Sequence, residues 1–375
     1  MKTTKQSNVT TRFMKPALAF VAVSALFAGS ASALADSSNV QMFGTVDVGF
    51  LSQSKSAAGG SISSIASGGI RPSIWGFKGS EDLGNGTKAF FNFESHIALD
   101  TGSLMADGQG ASPLFRRQSN LGLSGDWGSL TVGRQYSPAL LAHIGTEPRA
   151  FKENFSNLYA WAFNQLPNAA PSTTTNNDIG IFFSNSAKYS NTFGPVNVGV
   201  LYSLGEQAGS TSANSVFSLG LSYTGPVTVS ASYQDSKDKT TGNTVVKHMG
   251  LGLAVPFTNG AVKANYLNAK NNNGATGAET SNVEAWGIGV DYKWHPTNTF
   301  TVAYYDNTDK NNKSDATRNW VFSNDYSLSK RTTLYGQIAL VDAKAGATIK
   351  TAITGASFPA GAKTTFFNVG INHNF

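Results

Sequence analysis

The chain has 375 residues, 40% of them hydrophobic, with 39 glycines, 11% aromatics and no cysteine. Lacking cysteine, it has no disulfide framework, and a structure of this size must rest on backbone pairing and packing. Of its 28 Lys and Arg, four (Lys2, Lys5, Arg12, Lys15) precede the first acid at Asp36, which leaves 24 bases against 22 acids beyond that point. No basic cluster or recognition module stands out, so nucleic acid is excluded as a partner.

The N-terminus pairs those bases with an apolar run from Pro16 to Phe27 and then the small residues Gly29-Ser30-Ala31-Ser32-Ala33-Leu34-Ala35. This is the pattern of a secretory signal, residues 1–35, with cleavage expected after Ala35. The apolar run is shorter than the roughly 18 residues a spanning helix needs, which argues against an anchor. The mature chain is then residues 36–375.

From Val40 onward the apolar residues alternate. Val40, Met42, Gly44, Val46, Val48 and Phe50 fall on one face, and Phe217, Leu219, Leu221 and Tyr223 repeat the pattern. Val227, Val229, Ala231 and Tyr233 follow, then Trp286, Ile288, Val290, Tyr292 and Trp294. Small or polar residues occupy the other face throughout. Two kinds of connection take turns. Tight ones carry turn chemistry, as in Asp82-Leu83-Gly84-Asn85-Gly86, Asp126-Trp127-Gly128, Gly225-Pro226, Asn259-Gly260, Pro296-Thr297-Asn298 and Ser329-Lys330-Arg331. Long polar ones cover residues 53–69, 98–112, 205–214, 235–244, 270–282, 308–316 and 343–361. Sorting short turns to one end and long loops to the other predicts an all-β fold, a transmembrane antiparallel β-barrel of about sixteen strands.

In hydrocarbon, every backbone polar group must be paired, so a sheet spans only as a closed barrel. The apolar face then meets the lipid bilayer. A barrel this wide leaves an aqueous lumen lined by the polar face. The longest connection, residues 138–177, is the candidate constriction. It carries Glu147, Arg149, Lys152 and Glu153, with Phe151, Phe155, Tyr159, Trp161 and Phe163 available to pin it to the wall.

Register places Lys78 in the lumen, and Lys188 is expected there too. Alternation alone favours Arg116 over Arg117 as the inward base, unless a bulge intervenes. Bases facing loop acids set up a transverse field that tunes ion preference. Arg134 shares its face with Leu130, Val132 and Tyr136 and so points outward. A charge at mid-bilayer costs about 2–4 kcal/mol, so Arg134 is expected at a rim or an oligomer interface. The chain ends on an alternating strand, 365–375, whose last residue is Phe375. A strand ending in an aromatic must close a sheet, because an open edge is a liability.

These features resemble the Gram-negative general porins, the trimeric outer-membrane type. The resemblance is carried by Val40-Gln41-Met42-Phe43-Gly44-Thr45-Val46-Asp47, Trp75-Gly76-Phe77-Lys78-Gly79-Ser80-Glu81-Asp82-Leu83-Gly84, Lys88-Ala89-Phe90-Phe91-Asn92-Phe93-Glu94, Arg117-Gln118-Ser119-Asn120-Leu121-Gly122-Leu123-Ser124-Gly125, Leu130-Thr131-Val132-Gly133-Arg134-Gln135-Tyr136 and His373-Asn374-Phe375. It extends over the whole mature chain. It implies a homotrimer of sixteen-stranded barrels in the outer membrane, passive diffusion of small hydrophilic solutes and ions, and an inserted third loop. It implies wall bases at the positions of Ile74, Arg117 and Lys188, which favours Arg117 over Arg116, with Glu147 and Glu153 as loop acids. It also implies that Phe375 is read by the barrel-assembly machinery. No cofactor or metal follows from it.

Two other functions fit less well. A barrel enzyme needs a nucleophile or acid–base constellation, and none of His96, His143, His248, His295 and His373 sits in one. A sugar- or anion-specific channel needs a stacking or binding track, whereas most Tyr and Phe fit the lipid-side girdles.

Overall fold

The structure, a computed structural model, describes residues 39–107, 110–162, 177–178, 180–348 and 358–375. The proposed signal, residues 1–35, lies outside them.

The strands are β1 (Asn39–Gln53), β2 (Ile62–Ser67), β3 (Ile74–Gly84), β4 (Thr87–His96), β5 (Gln118–Gly125), β6 (Gly128–Tyr136), β7 (Asn177–Asp178), β8 (Phe182–Phe193) and β9 (Val196–Ser203). They continue as β10 (Val216–Thr224), β11 (Thr228–Lys237), β12 (Thr244–Phe257), β13 (Gly260–Asn272), β14 (Glu279–His295), β15 (Asn298–Asp309), β16 (Ala316–Ser327), β17 (Thr332–Ala343) and β18 (Lys363–Asn374). Two short helices, α1 (Pro138–Ala142) and α2 (Asn157–Ala162), lie between β6 and β7. All pairings are antiparallel; they join consecutive strands, except that β1 also pairs with β3 and β6 with β8, and β1 pairs with β18 to close the ring.

Eighteen strand segments make sixteen barrel strands, for two reasons. The lower half of β1 pairs with β3 and its upper half with β2, so β2 and β3 are one barrel strand broken by residues 68–73. The two-residue β7 only folds back on β8. A closed sixteen-stranded antiparallel barrel is therefore what the alternation and the sorted loops predicted.

The connections sort as expected, with seven tight turns at one end and the long loops at the other. At one tight turn, Asn85 and Gly86 adopt φ of 52° and 74°, as a two-residue hairpin requires. Gly194-Pro195 makes a further tight turn, between β8 and β9, beyond those expected from sequence. Some stretches expected to be loops run on as strands. Of residues 270–282, only 273–278 leave the sheet. Strand ends that project past the hydrocarbon need no apolar face, so alternation fades while pairing persists.

The outer face carries exposed apolar side chains such as Leu121, Val132, Leu251 and Ile288. The inner face is buried and mostly polar on β1 and β15–β18, and mostly small on β10–β12. That second property fixes where the long loop lies.

Candidate functional site

Two inward excursions build the lumen. The first is the break at residues 68–73. Asp47, fully buried on β1, organises it by accepting hydrogen bonds from the backbone N–H of Gly69 (2.7 Å), Ile70 (3.3 Å) and Arg71 (3.1 Å). Tyr335 Oη (2.8 Å) and Asn372 Nδ2 (3.1 Å) also donate to Asp47. The carbonyls of Ile70 and Gly69 then accept from the backbone N–H of Glu153 and Asn154, both at 3.2 Å. The broken strand is thus a shelf that receives the tip of the second excursion, the long loop after β6.

That loop enters through a capped helix. Ser137 Oγ accepts from the Leu140 N–H and donates to Gln234 Oε1 at 2.6 Å, while Pro138 occupies the first turn of α1. Small inner-wall residues make its bed. A Cβ on Gly220 would strike the Pro138 carbonyl, one on Gly250 the His143 ring and one on Gly252 the Thr146 hydroxyl. His143 is fully buried, with Nδ1 2.8 Å from Ser230 Oγ and Nε2 2.7 Å from Ser232 Oγ. Burial lowers its pKa to about 4, so it is neutral at pH 7. Small residues on the polar face looked like lumen lining; on β10–β12 they instead carry the loop.

The tip is held by charges turned inward. Glu147 accepts from the backbone N–H of Arg149 (2.7 Å) and Phe151 (2.9 Å) and from Tyr305 Oη (2.5 Å). Arg149 donates to the Asn154 carbonyl and to Gln337 Oε1 on β17. Ala150, Phe151 and Phe155 sit at φ of 54°, 60° and 69°, a conformation that persists only where such contacts over-determine it. Phe155 and Trp161 are buried as the aromatic pattern suggested, and Trp161 Nε1 donates to the Asn268 carbonyl at 3.0 Å. Trp161, Leu158 and Leu140 form a small apolar core with Leu267 and Val283 on the wall. Phe163 and the side chain of Tyr159 lie outside the described residues.

Between tip and wall lies a cavity of about 670 Å³ lined by Arg71, Glu94, Arg117, Lys152, Asp325 and Lys330, among others. Arg117, not Arg116, is among its lining residues, so register alone chose the wrong base. Arg117 bonds to Glu94 and to the Tyr136 hydroxyl, and Gln118 Nε2 reaches the same Glu94 at 3.0 Å. Two consecutive residues therefore reach one carboxylate, which breaks the alternation where β5 begins. Arg116 is 5% exposed, against His96. Lys152 pairs with Asp325 across the opening at 2.8 Å.

The remaining predicted residues fall elsewhere. Lys78 and Lys188 line a second recess towards the short turns. Glu147 is fully buried and lines neither cavity, contrary to the expectation of an acid facing the wall bases. Glu153 is 7% exposed, within Coulombic range of the Tyr136 hydroxyl. Arg134 shares the outward face with Val132 near the long-loop rim, where it donates to the Arg116 carbonyl and to Ser184 Oγ. Sequence reasoning missed Arg71, Lys330, Glu94 and Asp325. Only the break in the second strand, with the Gly68-Gly69 pair before Arg71, hinted at an inward turn there.

A family profile described as Gram-negative porin matches residues 20–346. The chain is 29% identical over 370 residues to outer membrane porin protein 32 of Delftia acidovorans, covering 94% of this chain and 98% of that one. Among solved structures it is similar to an anion-selective porin from Comamonas acidovorans, at 25% identity and a TM-score of 0.76, over 90% of this chain and 100% of that one. An outer membrane protein of Vibrio cholerae in its trimer form shares the fold at 13% identity and a TM-score of 0.63, over 91% and 100% of the two chains. A closed sixteen-stranded barrel with an apolar outside, a polar lumen and a loop folded into it belongs with these proteins: the chain is a member of the Gram-negative porin family, a channel-forming β-barrel of the outer membrane.

Proposed function

We propose that the pore is an anion-preferring diffusion channel for small hydrophilic solutes, narrowed by the loop at residues 138–177. The observation that carries this is the charge of the lining. The central cavity presents Arg71, Arg117, Lys152 and Lys330 against Glu94 and Asp325, and the recess below adds Lys78 and Lys188 without an acid. Like charge in a low-dielectric channel repels cations and concentrates anions. The similar Comamonas protein is described as anion-selective.

Glu147 serves as an anchor of the loop in this reading, and Glu153 lies in the tip bonded to the shelf. Arg134 marks the rim beside a subunit contact in a homotrimer; a solved relative is described in a trimer form. Residues 1–35 act as the export signal, and Phe375 as the mark read by the barrel-assembly machinery. The relatives are channels rather than enzymes.

Reconstitution in planar bilayers under a potassium chloride gradient tests the reading. A reversal potential of the sign set by chloride is expected, in current steps grouped in threes. A cation-signed potential would reject the anion preference.

A further inference from the structure

The lumen holds two kinds of base. Arg117 is tied to Glu94, and Lys152 to Asp325. Lys78 and Lys188 line a recess of about 380 Å³ with Gln41, Asn92, Gln118 and Thr131. Lys188 also borders the adjoining space beneath Pro138 and Leu141. No carboxylate lines either space, and among the described residues neither lysine makes an ion pair. The Phe43 ring lies 5.2 Å from Lys78 Nζ and steadies that ammonium over the recess.

Two ammonium groups sharing a recess with no counter-charge repel each other across a poorly screening wall. A monovalent anion offsets one of them; a divalent one offsets both. Each ammonium carries three donors and no acceptor, and side-chain amides and a hydroxyl supply further donors. That set matches an ion with several acceptor oxygens better than a halide.

We propose that the recess holding Lys78 and Lys188 is a binding subsite for a small divalent oxyanion of the sulfate or phosphate class. It rests on the anion-preferring reading and adds to it a place where such an ion pauses. Its position on the short-turn side of α1 makes it more accessible from that mouth than from the loop side.

The test is chloride current through the full-length trimer in planar bilayers while sulfate is added to one side. Acetate at matched ionic strength is the control, and the chloride reversal potential is recorded in the same membranes. Sulfate should reduce the current with a saturating dependence, at lower concentration from the short-turn side, and acetate should not. Lys78→Gln and Lys188→Gln should each raise the half-blocking sulfate concentration at least tenfold. Lys78→Arg, which keeps the charge, should restore block to within a few-fold. Lys55→Gln, on the exposed loop after β1 and outside the pore lining, should leave the half-blocking concentration within a factor of two. A non-saturating response, equal block by acetate, or unaltered block in both Gln variants would overturn the subsite while leaving an anion-signed reversal potential standing. A cation-signed potential would overturn the anion preference itself.

Discussion

Gly44 and Phe375 exchange both of their backbone hydrogen bonds, N to O at 3.1 and 3.0 Å, and the Phe375 ring lies where a Gly44 side chain would stand. Phe375 therefore completes the seam between β1 and β18 with its backbone and covers the one position on the outer face of β1 that lacks a side chain. The alternating terminal strand predicts closure; why Gly44 interrupts an otherwise apolar outer stripe becomes clear only when both ends of the chain are brought together.

Deleting Phe375 removes both bonds, each worth about 0.5–1.5 kcal/mol net. Phe375→Ala keeps them and loses only the ring. If closure dominates, the deletion should lower outer-membrane levels several-fold more than the alanine variant does. If recognition of the ring dominates, the two should fall together. Heat-modifiable mobility of folded barrel in membrane fractions distinguishes the outcomes. Equal levels of the deleted and intact chains would contradict both.

The bed of small residues makes a second expectation. Gly220→Val forces a side chain into the Pro138 carbonyl, and Gly252→Val one into the Thr146 hydroxyl. The sheet is held by ladders on both sides of these positions, so the loop should yield rather than the barrel. Overpacking of this kind costs about 1–3 kcal/mol. Single-channel conductance should rise, or turn noisy as the loop moves. Unchanged conductance in both variants would argue that the loop does not set the aperture.

Acid should act on the same contact. The pKa of His143 is lowered to about 4 by burial, below its ordinary value near 6.5. The unfolded or released loop therefore binds the proton more tightly than the docked one, and docking is favoured fully only above about pH 6.5. That contribution declines as pH falls from there towards 4. Open-channel noise should increase over this window in the native protein, and less so in His143→Gln, which keeps polar contact with Ser230 and Ser232 but does not titrate in this range. An identical pH response in the two proteins would rule out His143 as the group involved.

The barrel was legible because its constraint is local: every spanning residue obeys a period of two, and each turn has its own chemistry. Lys78 and Lys188 follow that period and line the recess on the short-turn side. Arg117 does not follow it, because β5 begins on a break in alternation that only the shared Glu94 reveals. Glu147 was misread for a different reason. An acid in a long loop looks like a free charge, and nothing near it in sequence announces Tyr305, 158 residues away. The same holds for Asp47, whose role depends on a strand break and on β17 and β18. Serines and glycines on the inner face read as water-lining, since sequence does not say which stretch of wall the loop will cover.

The bond between Arg117 and Glu94 sets up the last expectation. Glu94 holds Arg117 and also accepts from Gln118, so one carboxylate reduces the positive field of the narrow region. Asp325 on β16 does the same for Lys152 in the same cavity. Glu94→Gln and Asp325→Asn are nearly isosteric, and each keeps a hydrogen-bond acceptor beside its base. Each removes one negative charge from a lining of four bases and two acids, and so should shift the reversal potential further towards the chloride limit. Arg117→Gln should shift it the other way and leave Glu94 buried without its cation, with a stability loss of about 3–5 kcal/mol. The double variant Glu94→Gln with Arg117→Gln restores neutrality, so it should recover most of that stability and return selectivity near the native value. Thermal unfolding of the purified protein and reversal potentials under one salt gradient report the two effects separately. A Glu94→Gln channel that becomes less anion-preferring would show that Glu94 acts by holding Arg117 in place rather than by opposing its charge.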